Sequence, residues 1–494
     1  MIPLSAAEIA AAVGGRLRGF DPPDIPQTTE APDPRQLILT HADTDSRNMR
    51  TGSLFIAKPG ESTDGHRFID SALAAGAQLI LAERETQTPA GEPHPAVIVD
   101  DAVAAMGALA AEIVARIRRA SPTTVIGITG SAGKTTTKDL LRAVLEPEGP
   151  TVAPQGSYNG EVGVPLTVFS AELETRYLII EMGADGPGNI EYLCRMVQPD
   201  IGVVLMVGTA HAGKFGGAQK IAQTKGELAE LATQHVILNA DDAQVAGMAT
   251  RATAAITWFG ESASADVRAE NLTLDAAGHP NFTLSIGGES HPVTSGLIGA
   301  HHVTNVLAAA AAARAAGAAS SAVAQRLTGL GASSRWRMER TERADGVTII
   351  NDAYNANPES MREALRTLAT LARDSRRRSV AVLGPMLELG EESVWLHHQL
   401  GETVVRLNIS QTLVVGQEAY GLYRGAIAEG SWADEVHWAE TLEQAEDWLQ
   451  AALQPGDIVL FKASNSAGLR LLGDKIAAGA AETPRQRPLQ EGTE

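Results

Sequence analysis

The sequence predicts an α/β protein of three domains: a small α/β N-terminal domain, a central doubly wound parallel sheet built on a phosphate-binding loop, and a Rossmann-like C-terminal domain. Three observations predict it. At 494 residues the chain is too long for one hydrophobic core and suits roughly three domains of about 150 residues. Short runs of β-branched and aliphatic residues alternate with segments of helical periodicity, as in parallel sheets covered on both faces. The apolar run from Val125 ends in a glycine-rich turn, Gly127-Ile-Thr-Gly-Ser-Ala-Gly-Lys-Thr-Thr136, after which Leu140, Leu141 and Val144 recur at helical spacing.

Composition narrows the classes of function. Hydrophobic residues at 44% and charged residues at 20% are ordinary for a soluble globular protein. A formal net charge of -19 argues against broad attraction to nucleic acid or an anionic membrane, so anionic substrates need local basic sites. The single cysteine, Cys194, leaves no internal disulfide and suits a reducing compartment, where it serves as a small apolar residue. The first residues carry Glu8 and no basic lead, so no secretory signal is read and a cytoplasmic location is expected. Val303 to Val323 is alanine-rich and interrupted by Arg314, which predicts a buried helix and no membrane insertion.

In residues 1–119, Ser5 is placed to cap a helix running through Val13, which Gly14-Gly15 ends. Phe68–Ala75 and Val103–Ile117 read as helices, Leu79–Leu81 and Ala96–Val99 as strands. In 120–333 the P-loop is followed by buried strands at Tyr177–Ile180, Ile201–Leu205 and Val236–Leu238. Ligands of such sheets sit beyond the carboxyl ends of the strands. Glu181-Met-Gly, Gly208-Thr-Ala-His211 and Asn239-Ala-Asp-Asp242 occupy those ends. In 334–494 the strands are Val347–Ile350, Val380–Leu383, Thr412–Val415 and Asp457–Phe461, without the glycine pattern of a dinucleotide site. The tail from about Thr483 is rich in Pro, Arg, Gln and Glu and is expected to be disordered.

The turn itself carries chemistry. Gly130, Ser131, Ala132, Gly133, Lys134, Thr135 and Thr136 can turn backbone N–H groups toward a phosphate at a helix N-terminus. Lys134 can offset charge on β/γ oxygens, and the Thr135 hydroxyl can ligate Mg²⁺. Five residues, not the usual four, separate Gly127 from Gly133, with Gly130 taking the middle of the turn. The reading is an ATP site; the alternative is a glycine-rich turn that binds nothing. Glu181 is placed to meet Mg²⁺ at the mouth of the loop, since a hard cation on phosphates takes one or two protein carboxylates. Taken alone it would be a solvated acid, and His211 a hydrogen-bonded loop histidine.

The form Gly-Ile-Thr-Gly-x-x-Gly-Lys-Thr-Thr resembles the loop of Mur ligases and folylpolyglutamate synthetases. Further segments extend the resemblance to the Mur ligase family over nearly the whole chain. Thr44-Asp-Ser-Arg47, Gly52–Ile56 and Asp64-Gly-His66 resemble the domain that holds the uridine end of a UDP-muramyl-peptide, implying Ser46 and Arg47 as contacts; by themselves they are turn formers on a solvated face. Gly156–Pro165 resembles the substrate loop Asn-Asn-Glu-x-Gly-x-Pro, with Asn159 matching and Gly160 in place of the second asparagine. Gly208–Gly216 resembles the segment whose histidine contacts a second metal ion, which implicates His211. Lys225 corresponds to a lysine that CO₂ can carbamylate to a metal-bridging carboxylate, which requires a desolvated amine. Gly299–Asn305 resembles the adenine-side motif; His301 and Asn305 match, and His302 replaces an asparagine.

Arg337 fits the family's inter-domain arginine, preceded by Trp336 where glycine is common. Asn351–Met361 resembles the Asp-x-Tyr-Asn-Ala-Asn-Pro-x-Ser-Met motif of the members that add D-alanyl-D-alanine. It implies Asp352 at the ATP ribose and Tyr354, Asn355, Asn357 and Ser360 toward the dipeptide. Leu383–Gly390 with His397 supports the match, although Pro385 stands where aspartate is usual; Phe461-Lys-Ala-Ser464 resembles the late Lys-x-Ser segment, with Asn465 for arginine. The resemblance implies an ATP-dependent ligase, with Lys134, Glu181, His211, Lys225 and Arg337 catalytic. It further implies two Mg²⁺ ions on Thr135, Glu181, His211 and Lys225, and UDP-N-acetylmuramoyl-tripeptide and D-alanyl-D-alanine as substrates. A monomer is expected. The alternatives are another amide-forming member, a folylpolyglutamate synthetase, or a noncatalytic nucleotide-binding relative.

Overall fold

The computed structural model describes residues 1–20, 33–60, 63–154, 156–208, 217–431 and 434–479. His211 and the tail from Thr483 lie outside the described residues. In the N-terminal part Ser5 caps the helix Ala6–Val13 through a reciprocal box with Glu8, and Gly14 closes it at φ +64°. β1 (Leu4–Ser5) pairs antiparallel with β3 (Ile38–Leu39). The main sheet has the order β2-β7-β6-β5-β4, from β2 (Arg16–Arg18), β4 (His41–Asp43), β5 (Ser53–Ala57), β6 (Ala77–Ala82) and β7 (Ala96–Ile98). Its strands are parallel except β2. The helix read at Phe68–Ala75 is Ile69–Ala74, entered through a 3₁₀ turn over Gly65–Phe68.

The helix Ala102–Ala120 welds this part to the next. Asp101 caps it, and Ala105, Met106, Leu109, Ile113 and Ile117 on its buried face share one apolar cluster with Ile9 and Leu79 on one side and Val125, Leu178 and Leu193 on the other. At its end Arg118 donates to Asp200 at 2.9 Å, and Asp200 also accepts from the backbone N–H of Val125 at 2.8 Å. That buried carboxylate therefore fixes where the first central strand begins.

The central sheet contains β8 (Thr124–Thr129), β9 (Thr151–Val152), β10 (Tyr177–Glu181), β11 (Ile201–Val204), β12 (His235–Asn239), β13 (Ala255–Gly260), β14 (Val267–Leu274), β15 (Pro280–Ile286) and β16 (Glu289–Thr294). Their order is β16-β15-β14-β13-β12-β11-β8-β10-β9. From β9 to β14 the pairing is parallel, and β8 lies between β11 and β10. The antiparallel extension β14 to β16 departs from the sequence expectation. In β15 every second residue is buried and those between face out, a pattern less conspicuous than the unbroken aliphatic runs of the inner strands. A second departure is the stretch Val303–Val323. It forms two helices, His302–Ala315 and Ser320–Leu327, because Gly317 turns the chain at φ +99°.

The last part is a sheet of order β17-β18-β22-β19-β20-β21, from β17 (Glu339–Glu342), β18 (Thr348–Asn351), β19 (Ser379–Leu383), β20 (Gln411–Val415), β21 (Val436–Ala439) and β22 (Ile458–Lys462). All pairs are parallel except β17 with β18. Among the described residues no helix is long and apolar enough to cross a membrane.

Candidate active site

The P-loop leaves β8 at Thr129 and enters the helix Lys134–Leu145. Gly133 is required twice: its φ is +84°, and a Cβ there would stand 2.2 Å from the Asn305 Oδ1. Asn305 belongs to the alanine-rich helix, and its Oδ1 also accepts from Thr137 Oγ1 at 3.3 Å. Ser131 is held by the loop after β11: its N–H donates to Met206 O, and its hydroxyl accepts from Gly208 N at 2.8 Å. Lys134 folds back so that Nζ donates to Gly130 O at 2.8 Å. Loss of hydration pushes its pKa down, opposed by the nearby Glu181 carboxylate.

Glu181 closes β10 and is 0% exposed. It accepts from Thr135 Oγ1, Ser157 Oγ and Asn159 Nδ2, each at 2.9 Å. These donors are neutral, and among the described residues no cationic side chain stands within ion-pair distance of it. A fully buried carboxylate whose direct partners are all neutral is costly, and the Lys134 charge that acts on it is not in contact with it. A hard cation at Thr135 and Glu181 fits that need. Among the described residues no group of three His, Cys, Asp or Glu converges as a metal cage, so phosphate oxygens and water would complete the coordination. Lys225, in the helix Ala218–Leu231, is 5% exposed; burial and then the Lys134 charge push its pKa down to about 7. Its amine is thus substantially neutral near neutral pH.

From the C-terminal part Arg337 reaches across: Nη2 donates to Thr135 Oγ1 at 3.0 Å, and the guanidinium lies 4.6 Å over the Tyr354 ring. The loop behind it is locked by Asp352, which accepts from the N–H of Met338 at 3.1 Å and from Lys462 Nζ at 2.5 Å; Lys462 also donates to Asn355 O. Asn357 N-caps the helix Pro358–Ser375, with Oδ1 accepting from Ser360 N at 2.8 Å and the Ser360 hydroxyl closing the box. Its Nδ2 donates to Ser131 O at 3.3 Å, so this loop touches the P-loop itself. Thr135, Lys138, Gly156, Arg337 and Tyr354 border a cavity of about 340 Å³ between the two parts.

The adenine-side candidates flank the same loop. Asn305 Nδ2 donates to His302 Nδ1 at 3.0 Å, which leaves the hydrogen of that imidazole on Nε2. His302 Nε2 and His301 Nδ1 are buried without a hydrogen-bond partner, and burial pushes both histidines' pKa down. Ser46 and Arg47 stand apart in the N-terminal part, in a 3₁₀ turn where Arg47 is paired with Asp45 at 2.6 Å and its side chain is 87% exposed. His397 brackets its own loop, accepting from Met386 N at 2.9 Å and donating to Ser393 O at 2.7 Å.

The sequence reading passed over Ser157, which bonds Glu181, and Lys138, which is 2% exposed and donates to Pro154 O at 2.9 Å. Lys138 also pairs with Asp139 at 2.6 Å, and Asp139 accepts from Ser334 Oγ. The signal available was the helical position of Lys138 and Asp139, one turn beyond Lys134. Trp336 adopts φ +58°, the left-handed region, where a bulky side chain costs roughly 1–2 kcal/mol. That conformation explains why glycine suits the position.

A parallel-sheet domain with this P-loop, completed by an arginine from a second domain, is the architecture of an enzyme of phosphoryl transfer, and the comparisons with known proteins make it an ATP-dependent ligase. The chain belongs to the Mur ligase family. It matches the Mur ligase family catalytic domain over residues 39–127, the Mur ligase middle domain over 128–313, and the Mur ligase glutamate ligase domain over 336–465. It is 43% identical to the UDP-N-acetylmuramoyl-tripeptide–D-alanyl-D-alanine ligase of Mycobacterium tuberculosis, over 97% of this chain and 98% of that protein. Among solved structures it resembles MurF from Acinetobacter baumannii, with TM-score 0.82 and 29% identity over 96% of this chain and 99% of that one. It also resembles the MurF ligase of Thermotoga maritima in complex with ADP, with TM-score 0.75 and 28% identity over 90% of this chain and 100% of that one.

Proposed function

We propose that this protein is an ATP-dependent ligase that joins D-alanyl-D-alanine to UDP-N-acetylmuramoyl-tripeptide, yielding the UDP-muramyl-pentapeptide of peptidoglycan synthesis. The observation that carries the reading is the meeting of Thr135, Glu181 and Arg337 at one point between two domains. The tripeptide's terminal carboxylate oxygen attacks the γ-phosphorus, the bond to ADP breaks, and an acyl phosphate forms. The dipeptide amine then attacks the acyl carbon, phosphate leaves with the oxygen it gained, and one proton is released. An acyl phosphate hydrolyses in water, which gives the closed cleft its purpose.

In this reading residues 1–119 bind the UDP-muramyl-peptide, with Ser46 and Arg47 as contacts; 120–333 bind ATP; and 334–494 bind the dipeptide. The backbone N–H groups from Gly130 to Thr136 cradle the phosphates, and Lys134 exchanges its bond to Gly130 O for β/γ oxygens. Thr135 and Glu181 would hold Mg²⁺, with His211 and Lys225 serving a second ion; bound there, Mg²⁺ offsets charge on the phosphoryl oxygens. Lys225 has the desolvated amine that carbamylation needs. Arg337 supplies positive charge at the γ-phosphate. His301 Nδ1 and His302 Nε2–H offer an acceptor or donor to the adenine edge beside Asn305, and Asp352 faces the ribose. Tyr354 and Asn355 face the dipeptide, while Asn357 and Ser360 shape that wall through the cap they form. The reaction takes place in the cytoplasm, on a monomer.

Incubation of the purified protein with ATP, Mg²⁺, the tripeptide nucleotide and D-alanyl-D-alanine tests this reading. ADP, phosphate and a UDP-pentapeptide, identified by mass, should form in equal amounts. ATP-binding protein that forms no such product would contradict it.

A further inference from the structure

We propose that Trp336 is a positioning residue for the ligation, an anchor that sets the path of the inter-domain linker and so holds Arg337 against the P-loop. The inference rests on the reading of Arg337 as a ligand of the transferring phosphoryl group.

The linker 333–338 passes between two cavities, of about 340 and 360 Å³, and Ser333, Ser334, Arg335 and Arg337 border both. Residues 333–337 are not buried, and only Met338 at the end of the linker enters a core, so side-chain anchors set the course between. On the ATP-binding side these are Ser334, whose hydroxyl donates to Asp139 at 2.5 Å, and Arg337 on Thr135. On the other side Arg335 Nη2 donates to Asp474 at 3.0 Å and Met338 is buried in the C-terminal core, and between them the anchor nearest Arg337 is the indole of Trp336. Its Nε1–H donates to both oxygens of Asp474, at 3.1 and 3.0 Å. The guanidinium groups of Arg335 and Arg470 lie 4.9 and 5.2 Å from its ring, and the Tyr354 ring stacks alongside at 6.5 Å with planes 19° apart. Asp474 is itself tied to β18 through Asn351 Nδ2 at 3.1 Å.

The backbone follows the ring. Trp336 N donates to Glu339 Oε2 at 2.9 Å, and its carbonyl accepts from Tyr354 N at 3.3 Å. The chain turns through the left-handed region at Trp336 and again at Met338, with φ +58° and +51°. Between these two bends sits Arg337, whose guanidinium lies over the Tyr354 ring that the indole stacks on. A bulky residue adopts this conformation only where its surroundings hold it there. At Trp336 those surroundings are its two backbone bonds and the ring's own partners, and through the latter the indole ties the position of Arg337 to that of the C-terminal domain.

The test is a double-mutant cycle in the full-length protein, with ATP, Mg²⁺ and both substrates. Trp336→Gly suits the backbone angle and removes the anchor; Trp336→Phe keeps a ring and removes only the bond to Asp474. The expected result is a kcat lowered about tenfold or more in Trp336→Gly, a smaller loss in Trp336→Phe, and a KM for ATP within about twofold of the parent. Trp336→Gly/Arg337→Ala should be no slower than Arg337→Ala alone, because the anchor acts through the arginine. Full kcat in Trp336→Gly, or losses that multiply in the double variant, would overturn the proposal and leave the role of Arg337 intact. Full kcat in Arg337→Ala would overturn the reading of Arg337 and the anchor with it.

Discussion

Arg337 Nη2 stands 3.0 Å from the hydroxyl of Thr135, a residue 202 positions earlier in the chain. Thr135 in turn donates to Glu181 at 2.9 Å. One hydroxyl thus joins the arginine of one domain to the carboxylate of another, at the first turn of the P-loop helix. Removing the guanidinium should leave both folds intact and strip charge from the phosphoryl group. Arg337→Ala is expected to lower kcat by about a thousandfold, the scale of an arginine supplied to a phosphoryl transfer. Arg337→Lys should recover only part of it, since an ammonium lacks the planar fork and the stacking on Tyr354. Steady-state kinetics checks both.

Glu181→Gln preserves shape and removes the charge that suits a cation. The Mg²⁺ concentration for half-maximal activity should rise at least about tenfold, with the melting temperature unchanged or raised, because the amide oxygen can still accept from Ser157 and Asn159, the amide N–H₂ can turn to the Thr135 hydroxyl oxygen, and no charge is buried. A magnesium titration of the rate decides it. An unchanged requirement would remove Glu181 from the metal site.

Lys225 gives a pH signature. Its folded pKa of about 7 lies below the ordinary lysine value of about 10.4, so between those values the unfolded chain binds a proton that the folded one does not. Unfolding therefore takes up a proton, and in buffer free of CO₂ the contribution of this group to stability increases as pH rises from about 7 toward 10. Lys225→Met should remove that slope in denaturant titrations. Isotope-labelled bicarbonate should give the parent protein a carbamate resonance that the variant lacks.

Lys462 is 3% exposed and its Nζ stands 2.5 Å from Asp352, which also receives the N–H of Met338. Lys462→Ala leaves that carboxylate half-satisfied and is expected to cost about 3 kcal/mol of stability. The double variant with Asp352→Ala should cost less than the sum of the two single changes. Chemical denaturation measures both.

Much of the site was legible because its motifs are local. The P-loop joins a strand to a helix within a dozen residues, and Glu181 ends a strand beside it, so topology places both at the same mouth. The partners were not legible, since contacts such as Arg337 with Thr135 and Asn357 with Ser131 link residues more than two hundred positions apart. Asn351–Met361 reads by itself as a polar turn with Pro358 and Ser360 opening a helix, and the side chains of Asn357 and Ser360 do close that helix N-terminus, a local use of the chemistry that the resemblance assigns to the dipeptide. The alanine-rich stretch concealed a break because its composition suits a helix throughout and only the angle at Gly317 interrupts it. Gly160 was read as a departure; no atom lies within 4 Å of where a side chain would begin there, so the missing asparagine leaves open space.

The measurement that bears most directly on the chemistry follows an oxygen. The tripeptide nucleotide is labelled with heavy oxygen in its terminal carboxylate, the ligation is run to completion, and the phosphate released is examined by mass. An acyl-phosphate route places one labelled oxygen in each phosphate per pentapeptide formed. Phosphate free of label, with the pentapeptide made, would contradict it.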